Sequence, residues 1–355
     1  MKASSKNQRG VALIVALIIT MIAISIAATV LYRQQIHIRL SSNISHLEQA
    51  YLYVDGMEGF AGTILEKSYE DHPKYDSLKD DWAFEGIIFP ILGGTMSGQI
   101  YDLQARINLN SLARPIPPPP VLKDKNGKLI SPAPVAKPDI AGITRYRLLS
   151  LIREVDPDDS MGPPQNFATI VKDWIDKDQT NGNVKPGNDG NGSGAESPYY
   201  QSLEPAYFSA NTLLVNPTEL RLLKDMHKKV YNKLINKDPK LSLVSTLPIT
   251  QKTPINLNTA NKEVLKSIGF DPASADDIIR ERDIEPFESL TNSFLQNVIS
   301  AQGGNIDKND LDVKSSYFLL RGKVEINNTR LFINSILVRK NGKVSVIMRD
   351  FSNPN

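Results

Sequence analysis

The sequence contains no cysteine among its 355 residues, which excludes disulfide bonds, thiolate zinc sites and cysteine nucleophiles. It also has little excess charge, with 41 basic and 39 acidic residues. A nucleic-acid-binding surface needs clustered basic charge, so we expect no nucleic-acid partner. The four histidines, His37, His46, His72 and His227, are scattered and match no catalytic pattern. These absences predict a protein that is not an enzyme and that is held together by core packing or by a metal.

A long apolar run lies near the N-terminus. Residues 11–32 contain no charged side chain, and as a helix they would span roughly 33 Å, enough for the core of a bilayer. Lys2, Lys6 and Arg9 precede the run without any acidic residue, which places the short leader in the cytoplasm. The sequence therefore predicts a single-pass protein of the inner membrane with its C-terminal body in the periplasm.

A cleaved secretory signal peptide and a plain signal anchor are the alternatives for this run. The run is long for a signal peptide, and no small residues suitable for cleavage follow it, since Tyr32-Arg33-Gln34-Gln35 is bulky and polar. A plain signal anchor stays open and predicts that the leader remains intact.

The leader itself ends in Arg9-Gly10-Val11-Ala12-Leu13. A short basic leader that ends in glycine directly before an apolar helix resembles the class III signal of type IV pilins and pseudopilins. The resemblance implies that a prepilin peptidase cuts after Gly10, that Val11 becomes the new, methylated N-terminus, and that the apolar helix is retained.

The fifth position after this cut is Val15, where most pilin-like proteins have glutamate, and the first acidic residue after the leader is Glu48. A carboxylate inside a bilayer is costly unless it has a partner, and in pilin-like fibres the resemblance implies that this partner is the amine of a neighbouring subunit. A subunit without the glutamate suits the end of a fibre. The sequence therefore resembles the K-type minor pseudopilins of type II secretion systems, which implies a role in starting or capping the pseudopilus, with I- and J-type minor pseudopilins as partners.

The apolar spacing of the helix continues beyond the membrane segment. One face carries an apolar residue every third or fourth position, namely Leu40, Ile44, Leu47, Tyr51, Val54, Met57, Ala61 and Leu65. Asp71-His72-Pro73 then stops the helix, because proline cannot continue it. We predict one helix over 11–66 whose second half packs on a folded domain.

Two distant regions read as strands, 87–110 and 317–351. The second contains three alternating runs, 317–326, 329–339 and 342–349, separated by the hairpin signals Asn327-Asn328 and Asn341-Gly342. The fold class predicted is α+β, in which the long pilin-like helix packs on a small antiparallel sheet.

The residues between the two strand regions have mainly helical spacing and form a large inserted helical domain. Predicted helices cover 139–153, 166–177, 217–237, 261–268, 273–283 and 290–301. The predicted domains are a leader (1–10), the long helix (11–66), an α/β domain (67–111 and 313–355) and the insertion (112–312, of which 253–312 is SAM-like). The proline-rich stretch 114–138 is expected to be an exposed extended loop.

An acidic loop follows the second predicted helix of the insertion. Asp173, Asp176 and Asp178 precede a Gly/Asn-rich stretch, and Glu196 follows it. Carboxylate and amide oxygens in flexible loops suit calcium, although the spacing is not that of an EF-hand and a solvated loop is the alternative. K-type pseudopilins have a similar Trp-x-Asp-x-Asp segment followed by Gly-Ala-Glu and two tyrosines. That resemblance implies that Asp176, Asp178 and Glu196, with Asp173 as a weaker candidate, bind calcium.

The segment 254–282 resembles helix-hairpin-helix DNA binders, and a membrane-tethered DNA-uptake receptor is therefore the rival function. Such proteins hold phosphate on the backbone amides of a glycine-x-glycine hairpin. Here only Gly269 is present, and it is followed by Phe270-Asp271. We expect a structural helical unit instead, with Asn258-Thr259 as a helix cap.

Overall fold

The computed structural model describes residues 9–84, 87–113, 122–123, 129–130, 140–158, 164–177, 179, 194–248, 253–303 and 306–352. The α-helices of this part of the chain are α1 (Arg9–Asp71), α2 (Ile140–Val155), α3 (Pro164–Ile175), α4 (Ser197–Gln201), α5 (Lys228–Leu234), α6 (Lys262–Ser267), α7 (Pro272–Ile284) and α8 (Ser293–Ala301). The short 3-10 helices are Asp81–Ala83, Leu109–Ala113, Pro217–Leu222, Pro239–Leu241 and Lys308–Asp310.

The strands form one five-stranded sheet and three two-stranded ones. They are β1 (Ile87–Ile91), β2 (Gly94–Asp102), β3 (Ile107–Asn108), β4 (Leu122–Lys123), β5 (Leu129–Ile130), β6 (Val244–Ser245), β7 (Ile255–Asn256), β8 (Leu311–Asp312), β9 (Tyr317–Ile326), β10 (Thr329–Lys340) and β11 (Lys343–Asp350). The large sheet has the order β1-β2-β9-β10-β11, and the small ones pair β3 with β6, β4 with β5 and β7 with β8.

Helix α1 is continuous over 63 residues, a length of about 95 Å at 1.5 Å per residue. It ends where the sequence signal placed the stop. The amide of His72 donates to the carbonyl of Ser68 at 2.8 Å, and Pro73 cannot extend the ladder. The predicted end at residue 66 was thus five residues too early, although the stop signal at 71–73 was placed correctly.

The apolar stripe of α1 is buried only in its second half. Val54, Met57, Ala61 and Leu65 are at most 4% exposed, as predicted. The upstream members remain exposed, namely Leu40, Ile44, Leu47 and Tyr51. The periodicity therefore identified a helical face correctly, but among the residues that the structure describes the first half of that face is exposed.

The hairpins of the large sheet confirm the turn signals. β10 and β11 pair antiparallel with Lys340 opposite Lys343, and the turn between them places Asn341 at φ 52° and Gly342 at φ 79°. Asn327, in the preceding turn, has φ 50°. Asparagine and glycine tolerate this left-handed region best, which is why these dipeptides predicted the turns.

One face of the sheet receives Met57 of α1. The even-numbered residues of β9 are buried in strict alternation, and at Gly322 an added Cβ would lie 2.2 Å from the Met57 Sδ. Gly98 on β2 is also close, since a Cβ there would lie 3.0 Å from the same sulfur. A side chain at Gly322 would force Met57 to move, so glycine sets the distance between helix and sheet here.

The helical insertion is built around α2, which packs against α3 and α6. Most predicted helices are present with ends shifted by at most three residues. The helix predicted over 217–237 is wrong, because the chain forms a 3-10 turn, breaks at Asp225 with φ 59° and resumes as α5. The short helix α4 was not predicted.

A buried polar network joins the end of α1, the sheet and the insertion. The Arg339 guanidinium on β10 pairs with Asp76 at 2.6 Å, and both side chains are at most 2% exposed. Asp102 at the end of β2 accepts from the hydroxyls of Ser315 and Thr259, each at 2.6 Å. Burial raises the pKa of Asp102, while these donors act in the opposite direction.

The predicted cap Asn258-Thr259 is wrong, because both residues belong to this interior. Thr259 bonds to Asp102, and the Asn258 amide bonds to the Phe287 carbonyl at 2.9 Å. Helix α6 begins later, after Asn261. Asparagine is favoured both at caps and in buried polar networks, since its side chain donates and accepts, and spacing alone does not separate the two.

Candidate functional sites: the apolar helix and the acidic loop

The first candidate site is the apolar half of α1. Within the described residues, α1 is the one helix long and apolar enough to cross a membrane, and its most apolar window is 0% buried. The two threonine hydroxyls of this apolar half bond to carbonyls of the same helix. Thr20 donates to the Leu17 carbonyl and Thr29 to the Ser25 carbonyl. Backbone and hydroxyl groups satisfied in this way are compatible with lipid.

The predicted processing site lies at the start of this helix. Arg9 and Gly10 already belong to the backbone of α1, while residues 1–8 of the leader lie outside the described residues. Val11 and Val15 are exposed. The position that is glutamate in most pilin-like proteins is therefore an uncovered apolar side chain in this chain.

The second candidate site is where α3 ends and α4 begins. Asp173 lies on the last turn of α3 and is 0% exposed, and Glu196 directly precedes α4 and is 2% exposed. Asp176 follows α3, half-buried, and its amide donates to the Lys172 carbonyl at 2.9 Å. Asp178 lies outside the described residues.

Gly194 brings the two sides of the loop together. A Cβ at this position would lie 1.6 Å from Oδ2 of Asp173, so the carboxylate lies directly against the Gly194 backbone. No other residue type leaves that space. Because Glu196 is two residues further on, the close approach anchors its segment beside the end of α3. The sequence contained this glycine within Gly-Ala-Glu, but the reason for it is visible only in three dimensions.

A cluster of aromatic side chains packs beside Asp173 and the start of α4. The ring of Trp174, next to Asp173, packs edge-on against Tyr200 with centroids 5.0 Å apart, and Tyr200 packs against Tyr199 and Tyr207 at 5.2 Å each. The carbonyl of Trp174 accepts the amide of Asn211 at 2.9 Å. Burial raises the pKa of Tyr200, so it remains a neutral structural group.

The described part of this loop supplies carboxylates of the type that calcium binds but does not assemble a full ligand set. Asp173 and Glu196 are buried carboxylates on the two sides of the loop, and calcium takes carboxylate oxygens from flexible segments. The described residues alone contain no group of three or more histidine, aspartate or glutamate side chains placed to hold a metal. The structure therefore does not bring Asp173, Asp176 and Glu196 together as a metal-binding group, and a calcium shell would also need Asp178 or backbone oxygens of the loop.

Comparison with known proteins decides the family. The sequence profile of "Type II secretion system (T2SS), protein K" matches residues 105–236. Type II secretion system protein K of Aeromonas hydrophila is 28% identical over 353 residues, covering 98% of this chain and 97% of the relative. The protein K of Pseudomonas aeruginosa is 31% identical over 356 residues, covering 97% and 93%. The chain belongs to the type II secretion system protein K family. The resemblance to K-type pseudopilins is thereby confirmed.

A solved structure of this family confirms the fold class. The chain superimposes on a structure described as the GspK-GspI-GspJ complex from enterotoxigenic Escherichia coli, with a TM-score of 0.67 and 24% identity. The match covers 88% of this chain and 99% of that one. The α+β architecture, with a long helix, an antiparallel sheet and a helical insertion, is therefore that of a protein K. The domain boundaries drawn from the sequence stay predictions.

The geometry of α6 and α7 disfavours DNA binding by this family member. Gly269 turns the chain between the helices at φ 115°, but Asp271 caps α7 by accepting from the amides of Ala273 and Ser274 at 3.0 and 3.1 Å. A phosphate would need such amides. Hydrogen bonds from Ser274 and Gln302 lower the pKa of Asp271 and keep it charged, so the helix N-terminus already holds an anion.

Proposed function

We propose that the protein is a minor pseudopilin at the tip of the type II secretion pseudopilus, where it starts or caps the fibre that exports folded proteins across the outer membrane. Family membership supports the secretion role. The observation that carries the proposal is the uncovered apolar half of α1, which contains no acidic residue before Glu48. The role is one of assembly and needs no catalytic group.

The helix would serve first as an anchor and then as a fibre element. Before assembly, 11–32 would lie in the inner membrane with the C-terminal body in the periplasm. Prepilin peptidase would cut between Gly10 and Val11 and remove the positive charges of the leader. The shortened helix, now bounded by apolar residues, could then leave the bilayer for a fibre core.

Two features of α1 support a terminal position. With Val15 in place of glutamate, the chain would offer no carboxylate to the amine of a subunit beyond it. Leu40, Ile44, Leu47 and Tyr51 form an exposed apolar stripe, and such stripes are stabilised by packing against another helix. We propose I- and J-type minor pseudopilins as these partners, because the related E. coli protein forms a complex with GspI and GspJ.

Deletion of the gene tests this role. Secreted enzymes should accumulate in the periplasm of the deletion strain, and wild-type complementation should restore export. Unchanged export after deletion would contradict the proposal. The rival DNA-uptake role instead predicts that the purified protein binds duplex DNA in a salt-sensitive way.

We also propose that calcium crosslinks the end of α3 to the segment before α4, with Asp173, Asp176, Asp178 and Glu196 as ligands. Calcium at 100 times its Kd should stabilise the fold by about 2.7 kcal/mol, because it binds only the folded state. We expect the Tm of the full-length protein to rise on calcium addition and to fall again with chelator.

A double substitution locates this effect. Asp176→Ala with Asp178→Ala should abolish the calcium-dependent rise in Tm. Asp158→Ala with Asp283→Ala removes the same number of carboxylates from exposed positions and should leave the rise intact. A rise that survives the first pair would refute the calcium site.

A further inference from the structure

A cavity of about 180 Å³ lies away from both sites already described. It is bounded by the 3-10 helix Pro217–Leu222, by α5 and by strands β9–β11. Strand β9 contributes Leu319 and Arg321, at odd-numbered positions, to the lining. Its even-numbered residues are buried on the other face, where Gly322 lies against Met57 of α1. Side chains of a strand alternate between faces, so the cavity lies on the face of the sheet opposite Met57.

Apolar residues line the sheet side of the cavity, and the charged residues of the lining are mostly basic. Leu319, Ile336 and Met348 line the sheet side. The charged residues of the lining are Arg106, Arg221, Lys237, Arg321 and Asp350. Four basic groups against one acidic group give a local charge of +3 in a chain whose net charge is only +2.

The one acidic residue of the lining, Asp350, already accepts hydrogen bonds from neighbouring polar groups. Oδ2 of Asp350 accepts from the Asn216 side-chain amide and from the Ser352 hydroxyl, each at 2.6 Å. Oδ1 accepts from the Ser352 amide at 2.8 Å. Asp350 therefore closes one edge of the cavity and does not pair with its arginines.

Two of the arginines are desolvated and donate hydrogen bonds to backbone carbonyls. Arg106 is 6% exposed and donates to the Pro239 carbonyl at 2.7 Å. Arg321 is half-buried and donates to the Lys237 carbonyl at 3.3 Å. In the part of the chain that the structure describes, neither forms a salt bridge. Burial lowers the pKa of Arg106 to about 10, while the nearby Asp102, Tyr101 and Asp238 act in the opposite direction. Arg106 is therefore charged at neutral pH, and a buried charge that lacks a directly paired carboxylate is costly.

We propose that this cavity binds a carboxylate carried by an apolar group. The carboxylate pairs with Arg106 and Arg321, since a guanidinium matches a carboxylate in geometry and charge. The apolar body lies against Leu319, Ile336 and Met348. A cavity of roughly 150 Å³ holds a benzene ring, so the body is about the size of one aromatic ring. Free organic acids and the C-terminal residue of a polypeptide share this chemistry.

Calorimetric titration of the full-length protein in nanodiscs tests the charge requirement. 3-Phenylpropionate should bind, and 3-phenylpropanamide, which has the same shape without the charge, should bind at least about tenfold more weakly because it loses a charge-assisted pair. Equal affinity of acid and amide, or no binding of the acid, would overturn the proposal.

Variants test the location. Arg321→Gln should weaken 3-phenylpropionate binding by about tenfold or more while the Tm stays near that of the wild type, since Arg321 is only half-buried. Lys229→Gln removes an exposed positive charge of α5 outside the lining and should leave the affinity unchanged. Wild-type affinity in Arg321→Gln would refute the site, even if Arg106→Gln failed to fold.

Two peptide ligands test whether the natural ligand is a polypeptide C-terminus or a free organic acid. A tetrapeptide that ends in phenylalanine with a free carboxylate is compared with its C-terminal amide. Tighter binding of the free-carboxylate peptide than of 3-phenylpropionate supports a polypeptide terminus as the ligand. Binding of 3-phenylpropionate alone supports a small organic acid, and binding of the amide peptide as tightly as the free one counts against the proposal.

Discussion

Replacing Gly10 with valine should leave the leader on the protein and abolish secretion. Glycine lets a protease approach the backbone closely, and a β-branched side chain at the scissile bond obstructs that approach. The uncut protein would retain Lys2, Lys6 and Arg9 next to the apolar helix. Charged side chains are costly to move through a bilayer, so the helix would stay in the membrane and could not enter a fibre.

N-terminal sequencing measures whether the leader is removed, and an export assay measures whether secretion depends on that removal. Wild-type protein should begin at Val11, and Gly10→Val protein at its original N-terminus with secreted enzymes held in the periplasm. Gly10→Ala adds only one methyl group and should still be processed. An intact leader on the wild-type protein would favour the plain signal anchor, and normal export by uncut Gly10→Val protein would contradict the role of cleavage.

Replacing Arg339 with methionine should cost about 3–5 kcal/mol of folding free energy, the usual effect of breaking a buried ion pair. Methionine retains the length of the side chain but leaves Asp76, which is 0% exposed, without its bidentate partner. It also removes the bonds from Arg339 to the carbonyls of Leu65 and Ser315. Because these groups belong to α1, to the segment before β9 and to β10, the loss should loosen the whole α/β core.

The same substitution nine residues earlier on β10 is the control. Arg330 pairs with Glu325 at 2.9 Å, but its side chain is 72% exposed, and solvent screens such pairs to about 0–1 kcal/mol. Urea unfolding followed by tryptophan fluorescence should therefore separate Arg339→Met from Arg330→Met by at least about 2 kcal/mol. Equal stabilities would show that the buried network does not hold the core together.

Features encoded by short-range pattern could be predicted from the sequence. The strands of the hairpins came within one residue of β9, β10 and β11, because alternation and the left-handed turns at Asn327, Asn341 and Gly342 are local properties. The long helix and its stop before Pro73 followed from periodicity and proline chemistry. The short basic leader ending in Gly10 pointed to pilin-like proteins, and Val15 in place of an early glutamate pointed to the K-type family.

Features that depend on tertiary contact could not be predicted in this way. The exposure of Leu40 and Tyr51 cannot be distinguished from the burial of Met57 by spacing, since all lie on one stripe. The role of Gly194 depends on the position of Asp173 twenty-one residues earlier. Arg106 gave no signal at all, because only the folded chain shows that it is buried beside a cavity whose one carboxylate, Asp350, bonds to Asn216 and Ser352.

The central claim is that this chain completes a pseudopilus tip with other minor pseudopilins. Its most direct test is co-expression with the I- and J-type pseudopilins of the same organism, followed by size-exclusion chromatography with light scattering. The proposal predicts one complex that contains all three chains and resists dilution. Elution of this chain alone, at the mass of a single copy, while the other two remain folded, would contradict it.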